Sequence, residues 1–174
     1  MSSTALLIID AQNEMYDEAN PVHKSEEMLE NLKSLIGKAR SADVPVIYVQ
    51  HNDAGLAEGT DFWQIHQSVA PEAGDLIVQK RTADSFQETE LLDELKNQGI
   101  QNLVLAGNQT EYCIDATTRS ASQHGFHVTL AKDAHGTWDS DEMSAGQIID
   151  HHNNMLSEFA VLKETTDIEF KETN

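Results

Sequence analysis

Residues 103–131 read LVLAGNQTEYCIDATTRSASQHGFHVTLA. The stretch opens on a short apolar run, Leu103 to Leu105, and closes on another, His127 to Ala131. Between them Thr110 is placed to cap a helix that runs to His124 and stops at Gly125. Two apolar runs separated by one helix, within roughly thirty residues, make a βαβ unit. Such a unit joins parallel strands through a right-handed crossover.

The same pattern extends in both directions. Further strand candidates are Ala5 to Ile9, Val44 to Val49, Leu76 to Val78 and Phe159 to Leu162. They are rich in Val, Ile and Leu, and most do not alternate with polar residues, as expected of strands covered on both faces. Met28, Leu29, Leu32, Leu35, Ile36 and Ala39 have helical spacing, with Ser25 as the expected N-cap. Leu91, Leu92 and Leu95 form a shorter stripe closed by Gly99. Ser140 is the expected cap of a helix carrying Met143, Ile148, Ile149, His152 and Met155. Asn52 to Gly74 is the least regular segment, and its Trp63, Ile65 and Val69 fit either a short helix or a loop flanking a site. The polar end, Glu164 to Asn174, is expected to fray or to pack on a partner subunit. The alternation implies an α/β fold with three α/β/α layers: a doubly wound, Rossmann-like, mostly parallel sheet of about six strands. The length fits a single domain spanning residues 1–174.

Composition narrows the function. The chain has 174 residues, with 11 Lys and Arg against 30 Asp and Glu, a formal charge of −19. A nucleic acid or an anionic membrane demands a basic surface, so neither is an expected partner. A lone cysteine, Cys113, excludes an intramolecular disulfide and a multi-cysteine zinc site. MSSTALLIID has no basic region before its apolar run and does not read as a signal peptide. No apolar stretch approaches the roughly 20 residues of a membrane helix. The reading is a cytoplasmic protein whose thiol stays reduced.

In open parallel sheets, ligands bind beyond the carboxyl ends of the strands. The polar residues at those ends are Asp10, with Gln12 and Asn13; Gln50 and His51, with Asp53; Lys80; Asn108 to Tyr112, leading into Cys113; and Asp133, with His135. Cys113 reads either as a small buried hydrophobe or as a thiol at a helix N-terminus. There the dipole favours thiolate, and outward amides can hold an oxyanion. Lys80 is either a surface charge or, near Cys113, a cation that stabilises the thiolate further. Asp10 is either a buried hydrogen-bonding carboxylate or the acceptor of the thiol proton. His135 is a candidate support behind the site, while His151 and His152 lie on a predicted helix.

The pieces ALLIIDAQN, VQKRTADSFQET, LVLAGNQTEYCIDATTRSASQHGFHV and LAKDA occur in that order. In this the chain resembles the isochorismatase-like cysteine hydrolases, a group that includes nicotinamidases and N-carbamoylsarcosine amidohydrolases. The resemblance runs from Ala5 to about Leu162. It implies a small-molecule hydrolase of amide, ureido or carbamoyl C–N bonds, acting through a thioester. Asp10 would be the general base, Lys80 the cationic partner and Cys113 the nucleophile. It further implies a cis peptide at Asn108–Gln109, and an oxyanion hole from the amides of Gln109 and Cys113. Strands one and four would be neighbours, and Phe86, Thr89, Gly125 and Asp133 architectural. A homo-oligomer is expected by the same analogy.

Two departures stand out. The family often has Gly where Glu88 stands. Nicotinamidases hold a metal through an Asp-x-His pair after strand two, whereas the order here is His51-x-Asp53, with His66 farther on. No cofactor is therefore expected; a metal, if held, would fall to His51, Asp53 and His66. Retention of Cys113 favours C–N hydrolysis over the vinyl-ether cleavage that names the family. Met15, Trp63, Asn108 and Tyr112 are the candidate substrate contacts, with Trp138 as a further possible wall. The rival readings are a metal-dependent nicotinamidase using His51, Asp53 and His66, a catalytically silent family member acting as a binding module, and a thiol redox sensor at Cys113.

Overall fold

The computed structural model describes residues 3–170. Six strands form one sheet: β1 (Thr4–Ile9), β2 (Val46–His51), β3 (Leu76–Lys80), β4 (Asn102–Asn108), β5 (His127–Gly136) and β6 (Val161–Lys163), in the order β3-β2-β1-β4-β5-β6. Every pairing is parallel. The direction of winding reverses between β1 and β4, which places the switch point there.

Alternate residues of a strand face opposite ways, so β1 feeds two cores. Leu6 and Ile8 join Val46, Tyr48 and Val104 beneath α2 (Ser25–Ser41), which contributes Met28, Leu32, Leu35, Ile36 and Ala39. Ala5, Leu7 and Ile9 join Ile47, Val49, Leu103 and Leu105 on the other face. That face is covered by α3 (Leu91–Asn97) and α4 (Asp115–Gln123), with Leu156 of α5 (Ala145–Leu156). Burial on both faces is why these strands carry no polar alternation. A single helical turn, α1 (Asn13–Tyr16), follows β1.

The helix starts differ from the sequence reading. Lys24, with φ 52°, precedes α2, and Ser25 is its first helical residue rather than its cap. α5 begins after Ser144, not Ser140. Ser144 Oγ accepts from Gln147 N while the Gln147 side chain accepts from Ser144 N, closing a capping box. Ser140 instead closes a local turn with Met143, which lies outside the helix. Thr110 caps nothing: residues Thr110–Ile114 form a π-helical turn ahead of α4, and its hydroxyl bonds to His135 Nδ1 at 2.8 Å. In the irregular segment only Gln67–Val69 is helical, as one 3₁₀ turn.

The polar end packs on its own chain as far as it is described. Lys38 Nζ donates to the carbonyls of Thr165 and Ile168, and Ile168 and Phe170 are buried under α2. Residues 171–174 of the expected fraying segment lie outside the described residues. The four expected architectural residues are all structural: Phe86 is in the core, Thr89 Oγ1 accepts from Leu91 N at the start of α3, Gly125 ends α4 at φ 91°, and Asp133 Oδ1 accepts from Thr165.

Candidate active site

β1 and β4 approach closely at their carboxyl ends. Ile9 lies opposite Gly107, and a Cβ on Gly107 would sit 1.9 Å from the Ile9 carbonyl oxygen. Only glycine fits there, and its φ of 128° suits no other residue. The next residue on one strand is Asp10, and on the other Asn108. Asp10 stands at φ 49°, a conformation that Asp tolerates better than most residues. Its amide donates to Val49 O at 2.8 Å, which anchors the turn to β2.

Lys80 ends β3, opposite His51 of β2. Its side chain reaches across the end of β2, so that Nζ lies 3.1 Å from Asp10 Oδ2 and 3.1 Å from Cys113 Sγ. It also lies 2.7 Å from His51 Nδ1 and donates to Thr82 O at 3.0 Å. Lys80 and Asp10 are each 1 % exposed, and Cys113 is 8 % exposed. The structure thus brings the three expected catalytic residues into one cluster. The ammonium has three protons for four acceptors, so one contact is always short of a hydrogen. When Nδ1 of His51 accepts from the ammonium, the ring proton sits on Nε2 and is donated to Asp53 Oδ2 at 3.0 Å. Asp10 Oδ1 is buried with no hydrogen-bond partner.

The thiol differs from the sequence reading. Burial first, and then the Asp10 carboxylate, push the Cys113 thiol up to about 12, against the opposing pull of Lys80. Cys113 rests as a thiol, not a thiolate.

A cavity of about 290 Å³ opens on this cluster, lined by Asp10, His51, Gln109, Cys113, Met15 and Tyr112 among others. The Asn108–Gln109 peptide is cis. Of the expected substrate contacts, Met15 and Tyr112 line the cavity; Tyr112 is 60 % exposed at its mouth. Trp63 and Asn108 do not. The Trp63 indole donates to Asn52 Oδ1, and its carbonyl accepts from Gln12 and Gln50. Asn108 is fully buried and donates to Tyr16 OH and to Asp10 O. Trp138 donates to Asn20 O, away from the cavity. His135 is buried behind the π turn, its Nδ1 against the Thr110 hydroxyl and its Nε2 against Asn153 Oδ1.

His51, Asp53 and His66 do not gather around one point. His66 Nδ1 accepts from Ser68 N and the ring packs edge-on to Tyr16, while both nitrogens of His51 are engaged. Among the described residues, the one trio able to converge on an ion is Asp10, His51 and Cys113, with ligand atoms within 4.8 Å of one another. Lys80 Nζ already touches all three, so the cationic position is filled by an ammonium. The donor set does not fit a metal.

Sequence reasoning missed Glu14, Leu56 and Ala83 as lining residues, and His51 as the partner of Lys80. A signal for His51 existed, because residues that end adjacent parallel strands lie side by side. Gln12, just beyond β1, clamps both the amide and the carbonyl of His51 through its side chain.

Residues 4–162 match the isochorismatase domain model. A secreted isochorismatase effector of Verticillium dahliae is 31 % identical over 150 residues, covering 84 % of this chain and 79 % of that protein. Nicotinamidase 3 of Arabidopsis thaliana is 30 % identical over 154 residues, 79 % of this chain and 75 % of the relative. The crystal structure of an isochorismatase family protein superimposes with a TM-score of 0.90 at 31 % identity, covering 94 % of this chain and 99 % of that one.

Proposed function

The chain belongs to the isochorismatase domain family, and on that premise we propose that it is a cysteine-dependent hydrolase of a small amide, ureido or carbamoyl compound. The observation that carries this reading is the ammonium of Lys80, 3.1 Å from both the Asp10 carboxylate and the Cys113 sulfur at the floor of a cavity. The plant relative, a nicotinamidase by name, supports amide chemistry.

Asp10 takes the Sγ proton on its unpartnered Oδ1 as sulfur attacks the substrate carbonyl. The amides of Gln109 and Cys113 receive the oxyanion, a type of contact worth about 3–4 kcal/mol per donor in hydrolases. As sulfur gains charge, its bond from the Lys80 ammonium becomes an ion pair, so the ammonium binds the transition state more strongly than the resting thiol. Asp10 returns the proton to the departing ammonia or amine. It then deprotonates water, which cleaves the thioester and restores the thiol. No step needs a metal or other cofactor, and the partner required is a small molecule. A reduced thiol is also what the cytoplasm maintains.

Ammonia release from a panel of amides, ureides and carbamates tests the reading. Cys113→Ala is expected to drop to the uncatalysed rate, and Asp10→Asn by about a hundred- to ten-thousandfold. Hydroxylamine should intercept the acyl group as a hydroxamate, and dialysis against a chelator should leave the rate unchanged. Full turnover by Cys113→Ala would reject the mechanism.

A further inference from the structure

The charges around the cavity are one-sided. Asp10, Glu14 and Asp53 line it, and among the described residues no lysine or arginine does. Asp10 is balanced by Lys80 at its floor. Glu14 and Asp53, nearer the mouth, have no lysine or arginine partner among the described residues: Asp53 meets the His51 ring and the amide of Gly55. Burial first, and then the Asp53 charge, raise the Glu14 carboxyl above the usual carboxylate range, against an opposing pull from His51. Glu14 is half-buried on α1, whose first residues are tied by their amides to Gln64 O and Phe62 O, so it cannot swing away freely. A second observation stands beside it: Asp10 lines this cavity and its buried Oδ1 has no hydrogen-bond partner among the described residues, so the oxygen is free to accept a proton from Cys113 or from a bound ligand.

We infer that Glu14 and Asp53 select the substrate, so that the enzyme takes amides bearing a protonated amine or other cationic nitrogen group beside the scissile carbonyl and rejects those bearing a carboxylate. The inference rests on the hydrolase reading for the word substrate, but not for the field at the sulfur. An anionic substituent nearer the mouth would meet two carboxylates, while the ammonium of Lys80 is already engaged with Asp10 at the floor. A cationic one would sit between them while its amide carbonyl lies against Cys113. The apolar walls, Met15 and Leu56, carry the intervening methylenes.

Two measurements on the whole protein test it. Cys113 is the chain's lone thiol, so charged thiol reagents report its surroundings directly. Trimethylammonioethyl methanethiosulfonate is expected to modify it at least about tenfold faster than the sulfonatoethyl reagent, after each is normalised to mercaptoethanol. Glu14→Gln and Asp53→Asn should each narrow that ratio, as should added salt. A normalised ratio of one, or a faster anionic reagent, overturns the inference. Second, ammonia release is compared for γ-aminobutyramide, butyramide and succinamate, three amides of equal chain length. The expected order of kcat/KM is cationic, neutral, anionic, with the spread compressed in Glu14→Gln. Succinamate hydrolysed as well as γ-aminobutyramide overturns the inference while leaving the hydrolase reading intact. Hydrolysis of none of these three nor of any amide, ureide or carbamate in the panel, with the reagent preference present, rejects the hydrolase reading and leaves the charge selection standing.

Discussion

A sulfur placed between a carboxylate and an ammonium has its ionisation decided by whichever outweighs the other once water is removed. At Cys113, burial and Asp10 outweigh Lys80. The consequence is kinetic: at neutral pH iodoacetamide should alkylate native Cys113 more slowly than a free cysteine, whose pKa is about 8.5, and the rate should climb with pH beyond 9. Denaturation should restore ordinary reactivity. Faster labelling of the native protein would show a stabilised thiolate and contradict this electrostatic balance. Asp10 and Lys80 were legible in the sequence because each is polar and ends an apolar run, and Cys113 because it falls in the first turn of the helix expected after strand four. Their charge states were not. The helix-terminus argument for a thiolate counted the amides and Lys80 but could not weigh a carboxylate contributed from the far end of the chain.

At the level of strands and helices, two backbone positions carry separable predictions. Gly107→Ala would drive a methyl group into the Ile9 backbone, which belongs to the central strand and cannot yield. Loss of about 4 kcal/mol or more is expected, enough to remove folded protein, as read by the denaturant midpoint. Glu88 has the opposite sign. It is exposed and stands at φ 54°, a left-handed conformation that costs a non-glycine residue about 1–2 kcal/mol. Glu88→Gly should therefore stabilise by about 1 kcal/mol net and raise Tm by about 2–4 °C. All six strands were legible as runs of Val, Ile and Leu, and Glu88 was visible as a departure from the family's glycine. Helix starts were less legible. Ser25, Thr110 and Ser140 are all chemically able to cap, and tertiary partners decide otherwise: His135 claims the Thr110 hydroxyl, and Ser144 has Gln147 at the spacing a capping box needs.

For the whole molecule, the acid side of stability is set in part by His135. It is 3 % exposed, and burial holds it down to about 4. Between that value and the unfolded value near 6.5, only the unfolded chain binds the proton, so stability falls as pH falls through this window. One such histidine accounts for about 3 kcal/mol lost by pH 4. Urea melts of the wild type and His135→Gln from pH 7 to 4 should show a shallower decline in the variant; parallel curves would remove His135 as the cause. The α/β architecture was legible throughout, because it follows from the period of apolar residues. The cavity was legible only at its floor. Glu14, Leu56 and Ala83 reach it through a short turn and loops whose paths no periodicity encodes. One further property follows from the strand order. Lys80 belongs to β3, one of the two edge strands, which is bonded to a neighbour on one side only. Outer strands peel away at lower cost than the interior, so gentle heating would withdraw the ammonium first. The enzyme would fall silent while most of its body remained assembled, and cooling would switch it back on.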